Sequence, residues 1–294
     1  MITVQVLHKT SYRYANPVSF QQHRLMCRPR EGHELRLVES GLSVTPVCAV
    51  RWMQDVFGNS VALLDFTEPA SELVVESSVT LEHYPSEPHG LPLDAAACQL
   101  PLSYSLADAE DLGSLLKRHY DDPDGEIGAW AQGFVEANGA DTLATLTAMC
   151  EFIHREFAYL RRVEEGTWPP ANTFANKSGS CRDYALLMME AARSLGLAAR
   201  FVSGYLYDDQ AVEDAASTIG GGETHAWLQV FLPGAGWVAF DPTNALVAGR
   251  KLIPVAYARD PAQASPLSGG FEGLPNDFLG MNVEVNITQA TQPG

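Results

Sequence analysis

The sequence feature that most constrains the fold is a helix that begins directly after a run of turn-forming residues. The turn run is Asn176-Lys177-Ser178-Gly179-Ser180. Apolar residues then recur at helical spacing, and these are Tyr184, Leu187, Met188, Ala191, Ala192 and Leu195. Ser180 and Asp183 fit a capping box, and Gly196 fits the C′ position. The pattern predicts a helix whose first residue is Cys181.

The first position of a helix favours a negatively charged sulfur. Backbone N–H groups are unpaired there, and the positive end of the helix dipole attracts an anion. A free cysteine has a pKa near about 8.5, which a helix N-terminus or an imidazolium neighbour lowers. Asp183 adds negative charge nearby, but we expect its hydrogen bond to point at the backbone and not at the sulfur. Cys181 is therefore a candidate nucleophile.

A thiol nucleophile needs a base, and His225 is the only histidine that follows Cys181. His225 begins a run of β-forming residues, which ends in the turn Pro233-Gly234-Ala235-Gly236. A second short strand follows and ends at Asp241. If the two strands pair antiparallel, His225 and Asp241 lie at the same end of the hairpin. The order of these residues predicts a Cys-His-Asp catalytic triad.

Each of these residues also has a simpler interpretation. A lone cysteine at a helix start is more often a small buried hydrophobic residue, and an Asp-Pro pair after a strand is common turn chemistry. Arg182 could support a thiolate or lie on the helix exterior. The three candidates together, in this order and on these elements, favour the catalytic interpretation.

Residues 143–270 resemble the transglutaminase-like core, a relative of papain-type thiol enzymes, in its bacterial branch. The matching stretches are residues 178–185, 195–205, 224–227 and 236–244. The resemblance implies Cys181 as nucleophile, His225 as general base and acid, and Asp241 as the residue that orients the imidazole. It also implies a substrate amide on a peptide or protein, carried through a thioester.

An oxyanion donor is the part of the site that the sequence leaves open. In this superfamily an upstream aromatic residue, or the backbone N–H of the cysteine, commonly holds the oxyanion. Tyr159 and Trp168 are both candidates for the side-chain donor. The Cys181 backbone N–H is the better supported donor, because a helix N-terminus presents free N–H groups.

Three functions remain compatible with the sequence. The thioester can react with an amine and form an isopeptide bond, or react with water and give deamidation or proteolysis. A peptide-binding module without catalysis is the third possibility. Retention of Cys181, His225 and Asp241 argues against a pure binding module.

Composition restricts the partners of the protein. The 294 residues include 19 basic and 36 acidic ones, for a net charge of −17, which makes nucleic acid a poor partner. No apolar run approaches the roughly 20 residues that span a membrane. Because the first residues are typical of a strand and not of a leader peptide, we expect a cytoplasmic protein without membrane contact. The oligomeric state stays open.

The spacing of the cysteines predicts no disulfides, and the spacing of the acidic residues predicts no metal site. The five cysteines are widely spaced and odd in number. A zinc motif is absent from the sequence, and the acidic cluster Asp208, Asp209, Glu213 and Asp214 does not fit a calcium-binding EF-hand loop. We expect no metal and no cofactor. The glycine-containing loop 207–223 is instead predicted to form a wall or lid of the substrate groove.

The chain before the core has a different pattern. Residues 1–85 contain strand-like segments separated by turns, namely 2–7, 35–44, 60–66 and 73–81. They predict an N-terminal antiparallel β-sandwich domain, which resembles the β domain that precedes the core in the bacterial family. Residues 86–102 are a predicted linker. Residues 103–294 are predicted to hold a helical segment and the catalytic core.

The predicted fold class is therefore α+β, with helices packed on an antiparallel sheet in a papain-like, transglutaminase-like core. Residues 142–159 predict one of these helices, with Cys150 on its apolar face. Residues 281–288 predict a final strand, which could join either sheet.

Overall fold

The computed structural model describes residues 1–84, 90–162, 165–207, 224–249 and 251–289. It shows an α+β fold with a two-sheet β region and a helix-covered antiparallel sheet, as the sequence predicts. None of the helices in these ranges combines the length and the apolar character needed to cross a bilayer.

The N-terminal region is a β-sandwich of two antiparallel sheets. The first sheet contains β1 (Ile2–Phe20), β3 (Leu35–Thr45), β6 (Ala70–His83), β15 (Phe271–Glu272) and β16 (Phe278–Gln289). The second contains β2 (His23–Leu25), β4 (Cys48–Gln54), β5 (Ser60–Phe66) and β14 (Leu267–Ser268). Val18 and Leu73 from the first sheet meet Leu25 and Leu64 from the second in one buried cluster. Alternation along each strand sends these apolar side chains inward.

The last strand in the described residues, β16, belongs to this sandwich and not to the core sheet. Val6 of β1 pairs with Val79 of β6 on one side and with Ile287 of β16 on the other. The 19 residues of β1 provide an edge long enough for the 12 residues of β16. The first sheet therefore contains both ends of the described chain. The domain boundaries at residues 85 and 102 stay a prediction.

The core sheet holds five antiparallel strands in the order β12 (Leu246–Val247), β11 (Gly236–Asp241), β10 (Thr224–Leu232), β9 (Ala199–Leu206) and β13 (Leu252–Ala258). The helices are α1 (Leu106–Leu112), α2 (Glu126–Ala137), α3 (Thr142–Glu156), α4 (Pro170–Asn176) and α5 (Cys181–Ser194). Helix α5 is buried along nearly its whole length and packs against β10 and β9. Cys150 of α3 is fully buried in the same core, as predicted.

Helix α3 ends three residues earlier than predicted. The chain leaves it to form β7 (Ala158–Tyr159), which pairs in parallel with β8 (Ser178–Gly179). This pairing lies immediately before α5 and fixes the path of the chain into that helix. A contact between segments about 20 residues apart has no signature in local periodicity, so the prediction missed it.

The described part of the predicted linker packs against the core. Ala97, Leu100 and Leu102 are buried in the main hydrophobic cluster. The backbone N–H of Asp94 donates to the carbonyl of Pro233 at 2.9 Å, which ties this segment to the β10–β11 turn.

The sandwich and the core share a buried contact surface. Val4 and Val79 of the sandwich cluster with Ile253 of the core sheet. In the same surface, Nδ1 of His8 lies 3.0 Å from the hydroxyl of Tyr205, on β9. The two regions are therefore joined by apolar packing and by buried polar contacts such as this one.

Candidate active site

Cys181 is the first residue of α5, as predicted, and its side chain is half-buried. The carboxylate of Asp183 accepts hydrogen bonds from the backbone N–H of Ser180 at 2.8 Å and from its hydroxyl at 2.7 Å. Gly196 follows the helix with a φ of 81°, which suits a C′ glycine. The predicted helix boundaries at Ser180 and Gly196 are confirmed.

The Asp183 carboxylate also holds an arginine that the sequence did not single out. Nε and Nη2 of Arg162 donate to its two oxygens at 3.0 and 3.1 Å. The backbone N–H of Trp168 donates to the same carboxylate at 2.7 Å. Asp183 is 0% exposed, so its charge is balanced in the interior and not by solvent. A single arginine 21 residues upstream, in a loop, carries no pattern that would have identified it.

His225 and Asp241 meet at the same end of the β10–β11 hairpin. Nε2 of His225 lies 2.8 Å from Oδ2 of Asp241, and both side chains are fully buried. The hairpin pairs Leu228 with Phe240, which brings the two residues together. Among the described residues, Nδ1 of His225 has no partner that meets hydrogen-bond geometry. The imidazole is thus fixed by its Nε2 atom and keeps Nδ1 for another partner.

The electrostatics of this pair favour a charged imidazole. Burial alone would lower the pKa of His225, but the carboxylate of Asp241 and the nearby thiol of Cys181 outweigh burial and raise it to about 10. Burial likewise tends to raise the pKa of Asp241, whereas the imidazolium and neighbouring hydrogen bonds give a net lowering. His225 therefore interacts with both of the other predicted site residues, Asp241 by a direct contact and Cys181 electrostatically.

Thr243 and Asn244, which follow Asp241 in the chain, both donate hydrogen bonds to its carboxylate. The backbone N–H of Thr243 donates to Oδ1 at 2.9 Å, and the Asn244 amide donates to Oδ2 at 2.9 Å. The carbonyl of Thr243 is in turn 2.8 Å from Nδ1 of His154, on α3. The Asp-Pro-Thr-Asn sequence signals a turn of this kind, and the structure shows that its Asn244 contacts the Asp241 carboxylate.

The aromatic candidates surround the triad in different ways. Trp227 is 1% exposed and stacks with His225 at a centroid distance of 6.1 Å, so it covers the imidazole. Trp168 lies against the guanidinium of Arg162, which is 4.6 Å from the ring centroid. Tyr159 makes an edge contact with Tyr184 of α5. The choice of side-chain oxyanion donor between Tyr159 and Trp168 stays open.

Several predictions concern residues outside the described ranges. The proposed lid is described only at Tyr207, and the acidic cluster from Asp208 to Asp214 lies outside the described residues. Within the described part of the chain, no group of three or more His, Cys, Asp or Glu side chains is arranged to hold a metal ion. The absence of a cofactor therefore stays an expectation.

The fold and the site define a protein of the papain-like and transglutaminase-like cysteine class. Residues 4–82 match the bacterial transglutaminase-like N-terminal region, and residues 128–242 match the transglutaminase-like superfamily. The second match contains Cys181, His225 and Asp241. The chain thus contains a transglutaminase-like core at residues 128–242, and a bacterial transglutaminase-like N-terminal region lies in front of it.

Sequence similarity to two mycobacterial proteins extends over most of the chain. An uncharacterized protein of Mycobacterium tuberculosis is 28% identical over 300 residues, covering 96% of this chain and 91% of the relative. A second uncharacterized protein, of Mycobacterium leprae, is 25% identical and covers 97% of this chain and 99% of its own. The protein-glutamine gamma-glutamyltransferase of Pseudomonas aeruginosa is 31% identical over 139 residues, which are 42% of this chain and 20% of that protein.

A solved structure shares the fold over the whole length. The crystal structure of a "Putative Cysteine Protease" from Cytophaga hutchinsonii superposes with a TM-score of 0.71 and 18% identity. The superposition covers 100% of this chain and 92% of that one. This neighbour confirms the arrangement of the core and the N-terminal β region.

Proposed function

We propose that the protein is a thiol-dependent acyl-transfer enzyme that acts on amide bonds of peptides or proteins. The observation that carries this proposal is the buried 2.8 Å contact between His225 and Asp241, next to a cysteine at a helix N-terminus. The three side chains supply a nucleophile, a proton acceptor and a group that orients the imidazole.

In the first half of the reaction, the thiol proton of Cys181 has already passed to His225 to give a thiolate–imidazolium pair, and Sγ bonds to the carbonyl carbon of a substrate amide. The C–N bond then breaks, His225 gives the proton to the leaving nitrogen, and a thioester remains. A backbone N–H at the start of α5 can stabilise the oxyanion, because N–H groups in the first helical turn have no intrahelical partner.

In the second half, an acceptor amine attacks the thioester carbon and passes a proton to His225. The C–S bond breaks and His225 returns the proton to Sγ. The product, now joined by an isopeptide bond, is then released. Water can act as the acceptor by the same steps and then yields an acid. The glutamyltransferase name of the relative from Pseudomonas aeruginosa supports the amine as acceptor for this chain.

Asp241 holds the imidazole through Nε2 and leaves Nδ1 for the thiol. Its negative charge also stabilises the imidazolium that forms when the thiol loses its proton. The proposed partner is a peptide or protein substrate, and the proposed location is the cytoplasm.

The test is a product analysis by mass spectrometry. Wild-type protein and Cys181→Ala are incubated with a glutamine- and asparagine-rich peptide pool and a primary amine. Cys98→Ala serves as the matched control, because Cys98 is also a free, half-buried cysteine but lies outside the site. We expect amine addition with wild type and with Cys98→Ala, and none with Cys181→Ala.

The product mass distinguishes the acceptors. Conversion of an amide to an acid that depends on Cys181 would show that water, and not the amine, is the acceptor. Shortened peptides would indicate a protease. Equal product with Cys181→Ala and wild type would contradict a thiol mechanism altogether.

A further inference from the structure

A buried carboxylate lies in the first turn of the helix that begins with Cys181. Asp183 is only two residues along the chain and is 0% exposed. A negative charge so close opposes the ionisation of a thiol, and burial strengthens the opposition because little water screens it. An uncompensated Asp183 would therefore disfavour the thiolate that the proposed mechanism needs.

Arg162 supplies the opposite charge in a geometry that fits a carboxylate. Its Nε and Nη2 atoms donate to the two oxygens of Asp183 at 3.0 and 3.1 Å, in a bidentate pair. The arginine side chain is only 10% exposed, so the pair is shielded from solvent. The net charge of the two side chains together is zero.

Arg162 is itself held in place by its neighbours. Nη2 donates to the carbonyl of Gly166 at 3.0 Å, and the guanidinium lies over the Trp168 ring. Arg182 donates to the backbone carbonyl of Arg162 at 3.4 Å. Arg182 and Asp183 follow the thiol directly in sequence, and His225 interacts with it from the core sheet.

We propose that Arg162 is a positioning residue for Cys181. It cancels the charge of Asp183, so Asp183 can order the first turn of α5 without suppressing the thiolate. The proposal rests on the proposed role of Cys181 as the nucleophile. It differs from a purely structural role of Arg162, which would affect folding and leave the ionisation of the thiol unchanged.

The experiment measures the alkylation rate of Cys181 by iodoacetamide as a function of pH, from the mass of the peptide that contains Cys181. This readout needs no substrate and ignores the other cysteines. The variants are Arg162→Met, Arg162→Lys, Asp183→Asn and the double variant Arg162→Met with Asp183→Asn. Arg36→Met is the control, because Arg36 forms an exposed ion pair with Glu82 on the sandwich.

For Arg162→Met we expect the midpoint of the rate profile to rise by about one pH unit, which means roughly tenfold slower alkylation below the midpoint. Arg162→Lys should stay near wild type, since it keeps the charge. Asp183→Asn should lower the midpoint, because the positive charge of Arg162 remains. The double variant should fall between the two single variants, and Arg36→Met should match wild type.

A midpoint that is unchanged in Arg162→Met, with a lower melting temperature, would overturn the proposal. If Arg162→Met does not fold, Asp183→Asn decides, and a midpoint equal to or above that of wild type would contradict the proposal. Failure of the proposed function looks different. It would appear as wild-type alkylation with the midpoint of free cysteine, near about 8.5, and no product that depends on Cys181.

Discussion

Nε2 of His225 lies 2.8 Å from Oδ2 of Asp241, and neither side chain is exposed to solvent. A buried imidazole without this carboxylate would hold its proton poorly, because burial disfavours the charged form. The carboxylate therefore favours the protonated form of His225.

Replacement of Asp241 by asparagine should remove most of this effect. In Asp241→Asn, burial dominates and the pKa of His225 falls, so the imidazole no longer stabilises a thiolate. We expect turnover and Cys181 alkylation at neutral pH to fall by about 10²- to 10⁴-fold. The alkylation rate is read by mass spectrometry, with Glu72→Gln on the exposed part of β6 as the control for loss of a carboxylate. An unchanged rate would show that Asp241 does not act on the site.

Stability should depend on pH through the same histidine. The ordinary pKa of 6.5 in the unfolded chain rises to about 10 in the folded protein. The folded state thus binds the proton more tightly, and the resulting stabilisation is complete below pH 6.5 and lost as the pH rises through about 10. Urea unfolding at pH 6, 8 and 10 should show a falling free energy of unfolding. A His225→Gln variant should show a smaller fall, and an equal fall in both proteins would refute the assignment.

His8 should act in the opposite direction at acid pH. Burial lowers the pKa of His8 from 6.5 to about 4. Between these two pH values His8 is protonated in the unfolded chain and neutral in the folded protein. Stability should therefore decrease by about 3 kcal/mol as the pH falls from 6.5 to 4. His8→Gln should flatten this part of the pH profile, whereas His33→Gln, on an exposed side chain, should not. Identical acid profiles for wild type and His8→Gln would be the contrary result.

Gly204 should not tolerate a side chain. It pairs with His225 in the core sheet, and an added Cβ would lie 2.2 Å from the carbonyl oxygen of Ile253 and 2.7 Å from the Trp227 ring. We expect Gly204→Ala to reduce the free energy of unfolding by about 2 kcal/mol or more and to slow Cys181 alkylation. Gly133→Ala in α2 is the matched control, because its Cβ would point into open space. The control should be stabilising by about 0.5–1 kcal/mol, since alanine favours a helix.

The free cysteines should differ sharply in reactivity. Burial raises the pKa of Cys27 to about 11 and raises the pKa of Cys150 well above its usual value. Cys181 is half-buried at a helix start, so limiting iodoacetamide at pH 7 should label Cys181 before the other two. Peptide mapping after short exposure measures the order. Faster labelling of Cys150 than of Cys181 would mean that α3 opens readily or that Cys181 is not activated.

Local sequence was sufficient for the elements that carry the triad. A helical repeat that follows a capping pair predicted α5 from Cys181, and a turn between two β-forming runs predicted the hairpin of His225 and Asp241. In both cases the decisive residues are near one another in the chain. The same holds for β5, whose observed bounds, Ser60–Phe66, are those predicted.

The surroundings of the triad depended on longer-range contacts. Arg162 reaches Asp183 because β7 pairs with β8 and brings the intervening loop to the start of α5. No repeat or spacing signals such a pair, since a single charged residue in a loop has many possible partners.

The sequence by itself thus determined the class of the core, the position of the candidate nucleophile and the hairpin that holds its partners. Only the tertiary structure decided that β16 joins β1, that the segment around Leu100 is buried, and that Arg162 balances Asp183. The physical reason is the distance along the chain over which each interaction acts. Periodicity and turn chemistry act over a few residues, whereas sheet edges, buried surfaces and ion pairs are chosen by competition among distant parts of the folded chain.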